Sequence, residues 1–346
     1  MRATRKSEAV YEVTILVLMF AAALIVGGLV IALSGESVGT AYKSLWEGAF
    51  VGKYNLAGTL SKATPLIISG LAAAVASHAG LVNLGLQGQF LIGGFAAAIV
   101  GFGLNLPAML HVPLALIAAL LGGMLWAWPV SYMKSRFRVD EVISTIMLNY
   151  IALLFTNYLI NYPFKDEGSL ARTPRIAATA ELSRLIPGTT LNTGIVIAVA
   201  LTIGVYVLLW KTRFGYNLRL TGLQPQAGRY AGVDVVKYQT MSFLLSGAMA
   251  GLAGAIPVMG IFRRFTDGID IGYGLEGLTV SLLGRSSPIG VFIVSILFGA
   301  MRSGGMVMER TTTVSREIVD ILQAVLIFFV ASDSAFRNLI KRKEGR

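Results

Sequence analysis

The chain is 346 residues long, 55% hydrophobic and only 14% charged, with a mean hydropathy of +0.70 and no cysteine. Soluble domains carry about 25% charged residues, so this composition excludes a water-soluble globule, along with a disordered chain, a disulfide-stapled domain and a thiolate metal centre. The net charge of +11 reads as nucleic-acid affinity only until its distribution along the chain is seen.

A bilayer core about 30 Å thick needs about 20 mostly apolar residues per helix. Val13 to Gly35 has no charge, and its apolar run exceeds the 7–15 residues of a signal-peptide core. It is therefore expected to be a retained first helix. Ala63 to Met133 is free of Lys, Arg, Asp and Glu and is long enough for three spans. Val142–Phe164, Leu185–Trp210 and Tyr238–Phe262 each supply one more. The last third is less regular, because Glu276 and Asp320 interrupt its apolar runs. The expected fold is an all-α polytopic membrane protein of about ten spans, at 13–34, 60–79, 82–103, 112–133, 141–162, 193–211, 239–262, 271–284, 288–304 and 317–333. It forms one transmembrane domain, with residues 1–59 as a first helix and external connection, 60–335 as the core and 336–346 as a basic tail.

Orientation follows from the basic clusters. With both termini in the cytoplasm, Arg2, Arg5 and Lys6, then Lys134, Arg136 and Arg138, then Lys211 to Lys237, and finally the tail all fall inside. The basic excess is thus a topology signal, and no nucleic-acid partner is expected. The longest outside loop, about Pro163 to Asn192, is too short for a core of its own.

The chemistry-bearing residues are few. There is no G-x-x-x-x-G-K-[ST] loop, no G-x-S-x-G elbow and no H-E-x-x-H. His78 and His111 stand apart from each other and from any acid cluster, so no metal site is expected. Polar residues within spans are more informative, because a charge at a helix centre costs about 2.5–3.5 kcal/mol on insertion scales. Glu276 and Asp320 are such residues, with Asn83, Gln87, Gln89, Asn149 and Asn157 as neutral companions. For the amides the bland alternative is interhelical hydrogen bonding.

Gly85-Leu86-Gln87-Gly88 resembles Gly274-Leu275-Glu276-Gly277, and Ile68-Ser69-Gly70 resembles Leu245-Ser246-Gly247. Glu141-Val142-Ile143 likewise resembles Glu317-Ile318-Val319. These offsets pair spans 2–5 with spans 7–10 as an inverted repeat, an arrangement in which solute binds where the repeats meet. Within Thr221–Val233, Pro225 is placed to open a short helix and Gly232 to close it. That helix would offer Gln226, Arg229 and Tyr230 to a partner; the alternative is a solvated basic loop.

Asn83–Gln89, Asp140–Tyr150, Gly222–Gly232 and Leu282-Leu283-Gly284-Arg285 resemble the permease subunits of bacterial nucleoside and simple-sugar ABC importers, relatives of the ribose and branched-chain amino-acid permeases. The resemblance covers about Leu60 to Ala331, with Gln87 standing where the family's motif leads one to expect Glu. It implies a plasma-membrane transport subunit without catalytic residues or cofactor of its own. The implied partners are a separate ATPase that consumes ATP, a second permease subunit (a paralogue in preference to a copy), an external substrate-binding lipoprotein and the surrounding membrane lipid. Asn83, Gln87, Gln89, Asn149 and Glu276 would line the solute pathway, and Pro225, Gln226, Arg229, Tyr230 and Gly232 would form the coupling element. Two rivals remain: an ion-coupled secondary transporter using Glu276 and Asp320 as a relay, and a lipid-phase enzyme using the same acids.

Overall fold

The structure, a computed structural model, describes residues 22, 24–33, 35–270, 272–315 and 317–331. Half of the expected span 13–34 and the whole tail 336–346 lie outside the described residues. The chain forms two compact units, one of residues 60–299 and one of residues 1–59 with 300–346.

In chain order the helices are α1 (Leu24–Leu33), α2 (Val38–Phe50), α3 (Lys53–His78), α4 (Leu86–Gly103), α5 (Ala108–Phe137), α6 (Glu141–Asn161) and α7 (Gly194–Lys211). Then follow α8 (Arg213–Leu223), α9 (Pro225–Tyr230), α10 (Val235–Pro257), α11 (Tyr273–Leu283), α12 (Pro288–Thr311) and α13 (Glu317–Ala331). A single π-helical turn, Val258–Phe262, extends α10. Seven helices among the described residues are long and apolar enough to cross a membrane: α3 to α7, α10 with its π turn, and α12. The protein is therefore all-helical and multi-pass.

Local sequence chemistry sets the helix ends. The Asp140 carboxylate accepts from the Val142 N–H (2.7 Å) to open α6, and Asp234 accepts from the Lys237 N–H (3.0 Å) to open α10. Two expectations change. Residues 35–59, expected as a connection, contain α2, which the Ser37 side chain caps, and the first turns of α3. The expected span 271–284 is α11, whose 11 residues reach only about 16 Å, half the hydrocarbon depth. The chain before it is held in turns, with Gly268 and Gly272 at φ +68° and +80°, so the helix cannot start earlier.

In the unit of residues 60–299, α3 and α10 are buried nearly all round, whereas α5, α6 and α7 keep one exposed apolar side. Glycine lets α4, α5 and α10 meet backbone to backbone. A Cβ on Gly251 would lie 2.3 Å from the Ala119 carbonyl oxygen, one on Gly93 2.2 Å from the Gly251 Cα, and one on Gly123 2.2 Å from the Gly247 oxygen. In lipid, where apolar burial does not drive helix association, such close approach is a main source of attraction.

The other unit packs similarly. Gly304 abuts the Leu45 carbonyl, and the Thr59 hydroxyl donates to the Ala49 oxygen (2.7 Å). Glu36, between α1 and α2, accepts from both the N–H (3.0 Å) and the hydroxyl (2.6 Å) of Thr313. The Thr313 hydroxyl, followed by its N–H, holds that carboxyl below its usual range.

Candidate solute pathway and docking helix

The two Gly-Leu-Gln/Glu-Gly motifs meet. Each lies at the start of a helix, α4 or α11, and a Cβ on Gly274 would sit 2.4 Å from the Gln87 Cα. Each half also contacts the serine of the other half's upstream motif. Asn83 Nδ2, just before the first motif, donates to Ser246 Oγ on α10 (2.9 Å), and Gly277 of the second lies against Ser69 of α3.

The expected pathway residues separate into two groups. Asn83 and Gln89 are each 1% exposed, and Asn83 Nδ2 also donates to Gln89 Oε1 (2.9 Å). Asn149 accepts from the Gly88 N–H (2.8 Å) and donates to the Leu84 oxygen (2.7 Å), tying α6 to the start of α4. These three amides hold the turn in shape. Gln87, by contrast, lines a cavity of about 200 Å³ together with Thr156 and Asn157 of α6 and Phe265, Asp267 and Asp270. Glu276 lies half-buried in the first turn of α11 and does not line this cavity. Asp320 belongs to the other unit and is exposed in the first turn of α13.

Asp267 and Asp270 escaped the sequence reading. The available signal was a pair of acids three apart, with Gly268 between them and Gly272 after them, in a stretch that looks like the ragged end of a span. Asp270 is buried and accepts from the Gly274 N–H (3.3 Å) at the start of α11. Asn157 also lines a second, wider cavity with Tyr158, Asn161, Tyr162 and Lys165, so the two openings share one amide. The exposed side of α6 is mainly apolar, with Ile143, Met147, Ile151 and Leu154 beside Tyr150 and Tyr158. That of α7 is largely aliphatic, with Val196, Val199 and Ile203.

The long connection between α6 and α7 pairs with residues 263–266, of which Phe265 and Thr266 line the Gln87 cavity. Asp166 bridges Arg172 (3.2 Å) and Arg264 (2.9 Å), while Glu181 bridges Arg175 and Arg263 (2.9 Å each). Backbone bonds from Thr173 to Phe265 (2.9 Å) and from Ile176 to Arg263 (3.0 Å) complete the seam. Asp166→Ala would leave both arginines without that carboxylate, at a cost of about 1–2 kcal/mol for a partly exposed charge-assisted pair. Limited trypsin digestion should then cut at Arg172 and Arg175 faster than in the parent protein; an unchanged digestion pattern would show that the ion pairs do not hold the seam.

At the other end of these helices, α9 runs Pro225–Tyr230 with proline in its first turn, and Gly232 follows at φ +78°. The Val233 N–H returns to the Gly228 oxygen (2.9 Å) to close it. Tyr230 is 94% exposed; Gln226 and Arg229 are exposed beside it. The mounting is rigid. A Cβ on Gly222 would fall 2.3 Å from the His78 oxygen, so the end of α8 sits on the end of α3. Asn217 of α8 donates to the Tyr238 hydroxyl of α10 (2.8 Å), and Arg219 lies 4.0 Å from the Trp210 ring centroid.

Both histidines are structural in their surroundings. His111 is buried between Thr179 Oγ1 (2.8 Å) and the Val100 oxygen (3.0 Å), and His78 Nε2 lies 3.1 Å from the Ser286 oxygen. Among the described residues, no group of three metal-ligating side chains gathers.

Comparison with known proteins bears on all of this. The family described as branched-chain amino acid transport system / permease component matches residues 55–331. The chain is 39% identical, over 91% of each sequence, to the guanosine ABC transporter permease protein NupP of Bacillus subtilis (strain 168). It is 31% identical to the nucleoside ABC transporter permease protein NupB of Lactococcus lactis subsp. cremoris (strain MG1363), over 84% of this chain and 82% of that one. It is likewise 31% identical to the glucose ABC transporter permease protein TsgB13 of Haloferax volcanii, over 93% and 88%. The chain therefore belongs to the branched-chain amino acid transport system / permease component family, and is a multi-pass plasma-membrane transport subunit of the ABC class, not an enzyme.

Proposed function

We propose that this chain is the permease subunit of an ATP-driven ABC importer that translocates a nucleoside or a simple sugar, with nucleosides favoured by the relatives' names. The observation that carries the coupled mechanism is α9: an exposed tyrosine and arginine on a short helix whose base is locked to α3 and α10. Force applied there by a partner ATPase reaches two deeply buried helices without an intervening flexible linker. A second permease subunit, a paralogue in preference to a copy, and an external binding protein complete the assembly.

The reading extends to cytoplasmic termini and to an inverted repeat that pairs residues 60–162 with residues 239–333, in which α11 enters only part of the hydrocarbon depth. The meeting of Gln87 with Gly274, and the paired contacts of Ser246 and Ser69, support it. Gln87, Asn157 and the Asp267–Asp270 stretch would form a polar stage on the solute route, suited to hydroxyls and base edges. Weak binding suits such a stage, because tight binding would slow release.

Reconstitution tests the whole. The chain alone in vesicles should accumulate nothing under an ion gradient; with its ATPase, second permease and binding protein it should accumulate solute only with ATP. Accumulation by the chain alone under a proton or sodium gradient would favour the secondary-transporter alternative. Replacing both Gln87 and Asn157 with alanine should cut uptake about ten-fold, the scale of one or two lost hydrogen bonds, with ATPase assembly unchanged. Full uptake by that variant would remove these residues from the route.

A further inference from the structure

A third cavity, of about 400 Å³, lies among the end of α5, α9 and the start of α10, away from the residues assigned to the solute route. Its wall carries Lys134 and Arg138 from the end of α5, Arg229 from α9, and Ser131, Gln239 and Thr240. Three cations thus face one space. Only Lys134 has a counter-charge, Glu141; Arg138 and Arg229 form no ion pair among the described residues. Ser131 is buried, and its hydroxyl has no hydrogen-bond partner among the described residues. Arg138 closes α5 in the left-handed region (φ 56°), where glycine is the usual residue, so a guanidinium stands at the rim.

We propose that this cavity binds a phosphate group, and that the group belongs to an anionic lipid headgroup. Two guanidinium groups without an ion pair among the described residues, an ammonium and a ring of hydroxyl and amide donors match the oxygens of a phosphate, whose charge offsets the mutual repulsion of the three cations. The depth is right for a headgroup. Trp128 and Tyr132 stack at 5.5 Å on the adjacent exposed side of α5, Phe137 meets Tyr132 edge-on at 6.1 Å, and Trp and Tyr gather at membrane–water interfaces. The bound phosphate would bridge Arg138 to Arg229, linking the transmembrane helix α5 to the docking helix α9.

The test uses the full chain with whatever subunits co-purify, delipidated in detergent and titrated with phosphatidylglycerol, phosphatidylcholine or inorganic phosphate under native mass spectrometry. Phosphatidylglycerol should be retained and phosphatidylcholine not. Arg138→Gln should weaken retention about ten-fold, the scale of one charge-assisted hydrogen bond. Arg136→Gln, beside it but outside the cavity, should leave retention unchanged, and so should Tyr230→Ala on α9. Arg138→Lys should restore part of the binding, and an unchanged melting temperature excludes misfolding as the cause. If inorganic phosphate binds with the same Arg138 dependence and displaces the lipid, the phosphate site stands and its source is the soluble ion. If neither phosphate species depends on Arg138, the proposal is wrong. It is equally wrong if Arg138→Gln alters only recovery of the ATPase, since an acidic side chain of that partner would then fill the space.

Discussion

Gly251→Val should eliminate recovery of folded protein. At this residue α10 faces α4 and α5 with no side chain between them. A Cβ would stand 2.3 Å from the Ala119 oxygen and 2.9 Å from the Gly123 Cα, while Gly93 approaches the Gly251 backbone from α4. The atoms in the way belong to backbone, so no rotamer change relieves the clash. Overpacking costs about 1–3 kcal/mol where side chains can shift, and valine here should exceed that range because whole helices must separate. Even Gly251→Ala should lower the melting temperature measurably. A matched control is available in α7: nothing lies within 4 Å of a Cβ on Gly204, so Gly204→Ala should be neutral or stabilising by up to about 1 kcal/mol through helix propensity. Fluorescence-detected size exclusion after a heating series reads both. Equal thermal stability of Gly251→Val and the parent would refute the packing account.

The second large effect is functional. Arg229→Glu combined with Tyr230→Ala should leave expression and melting temperature within error, since both side chains are exposed. ATP-driven uptake in the reconstituted importer should nevertheless fall by ten-fold or more. Exposed aromatic and arginine side chains are the residues most often dominant in protein interfaces, with losses of about 2 kcal/mol or more on truncation. The signature to look for is dissociation of two rates: ATP hydrolysis persisting while solute no longer follows it, or the ATPase failing to co-purify. Tyr230→Ala alone separates this role from the phosphate cavity, which Tyr230 does not line. Undiminished uptake by the double variant would remove α9 from the coupling path.

Much of the helix order was legible in advance because uninterrupted apolar length is a strong signal. The expected spans at 141–162 and 193–211 correspond to α6 and α7 within a residue at each end. Expectation and structure part where polar residues and glycines interrupt the pattern. Residues 271–284 have the hydropathy of a span, yet turns before Tyr273 leave only three turns of helix. Residues 35–59 carry enough charge to look like a connection, yet a serine cap organises a helix there.

The pathway residues show a sharper limit. Asn83, Gln87 and Gln89 are neighbours in one motif, and nothing in hydropathy says which points where. Helix geometry turns Gln87 into a cavity and folds Gln89 back onto Asn83. The placement of Asp267 and Asp270 was not legible because the loop that holds them takes its shape from residues about a hundred positions away, through Asp166 and Arg264. The helix at Pro225, in contrast, was written locally in a proline and a glycine.

The glycine contacts among α4, α5 and α10 bear on how such a molecule changes shape at all. Surfaces that interlock at atomic scale have no lubricating layer, and one cannot slip past another without first lifting clear. These three helices therefore travel as a single keel in every state of the cycle, and spin labels on α4 and α10 would read one fixed separation throughout. Whatever opens and shuts must be hung on that keel from outside, at elements such as α6 and α7 that are seated on one side only.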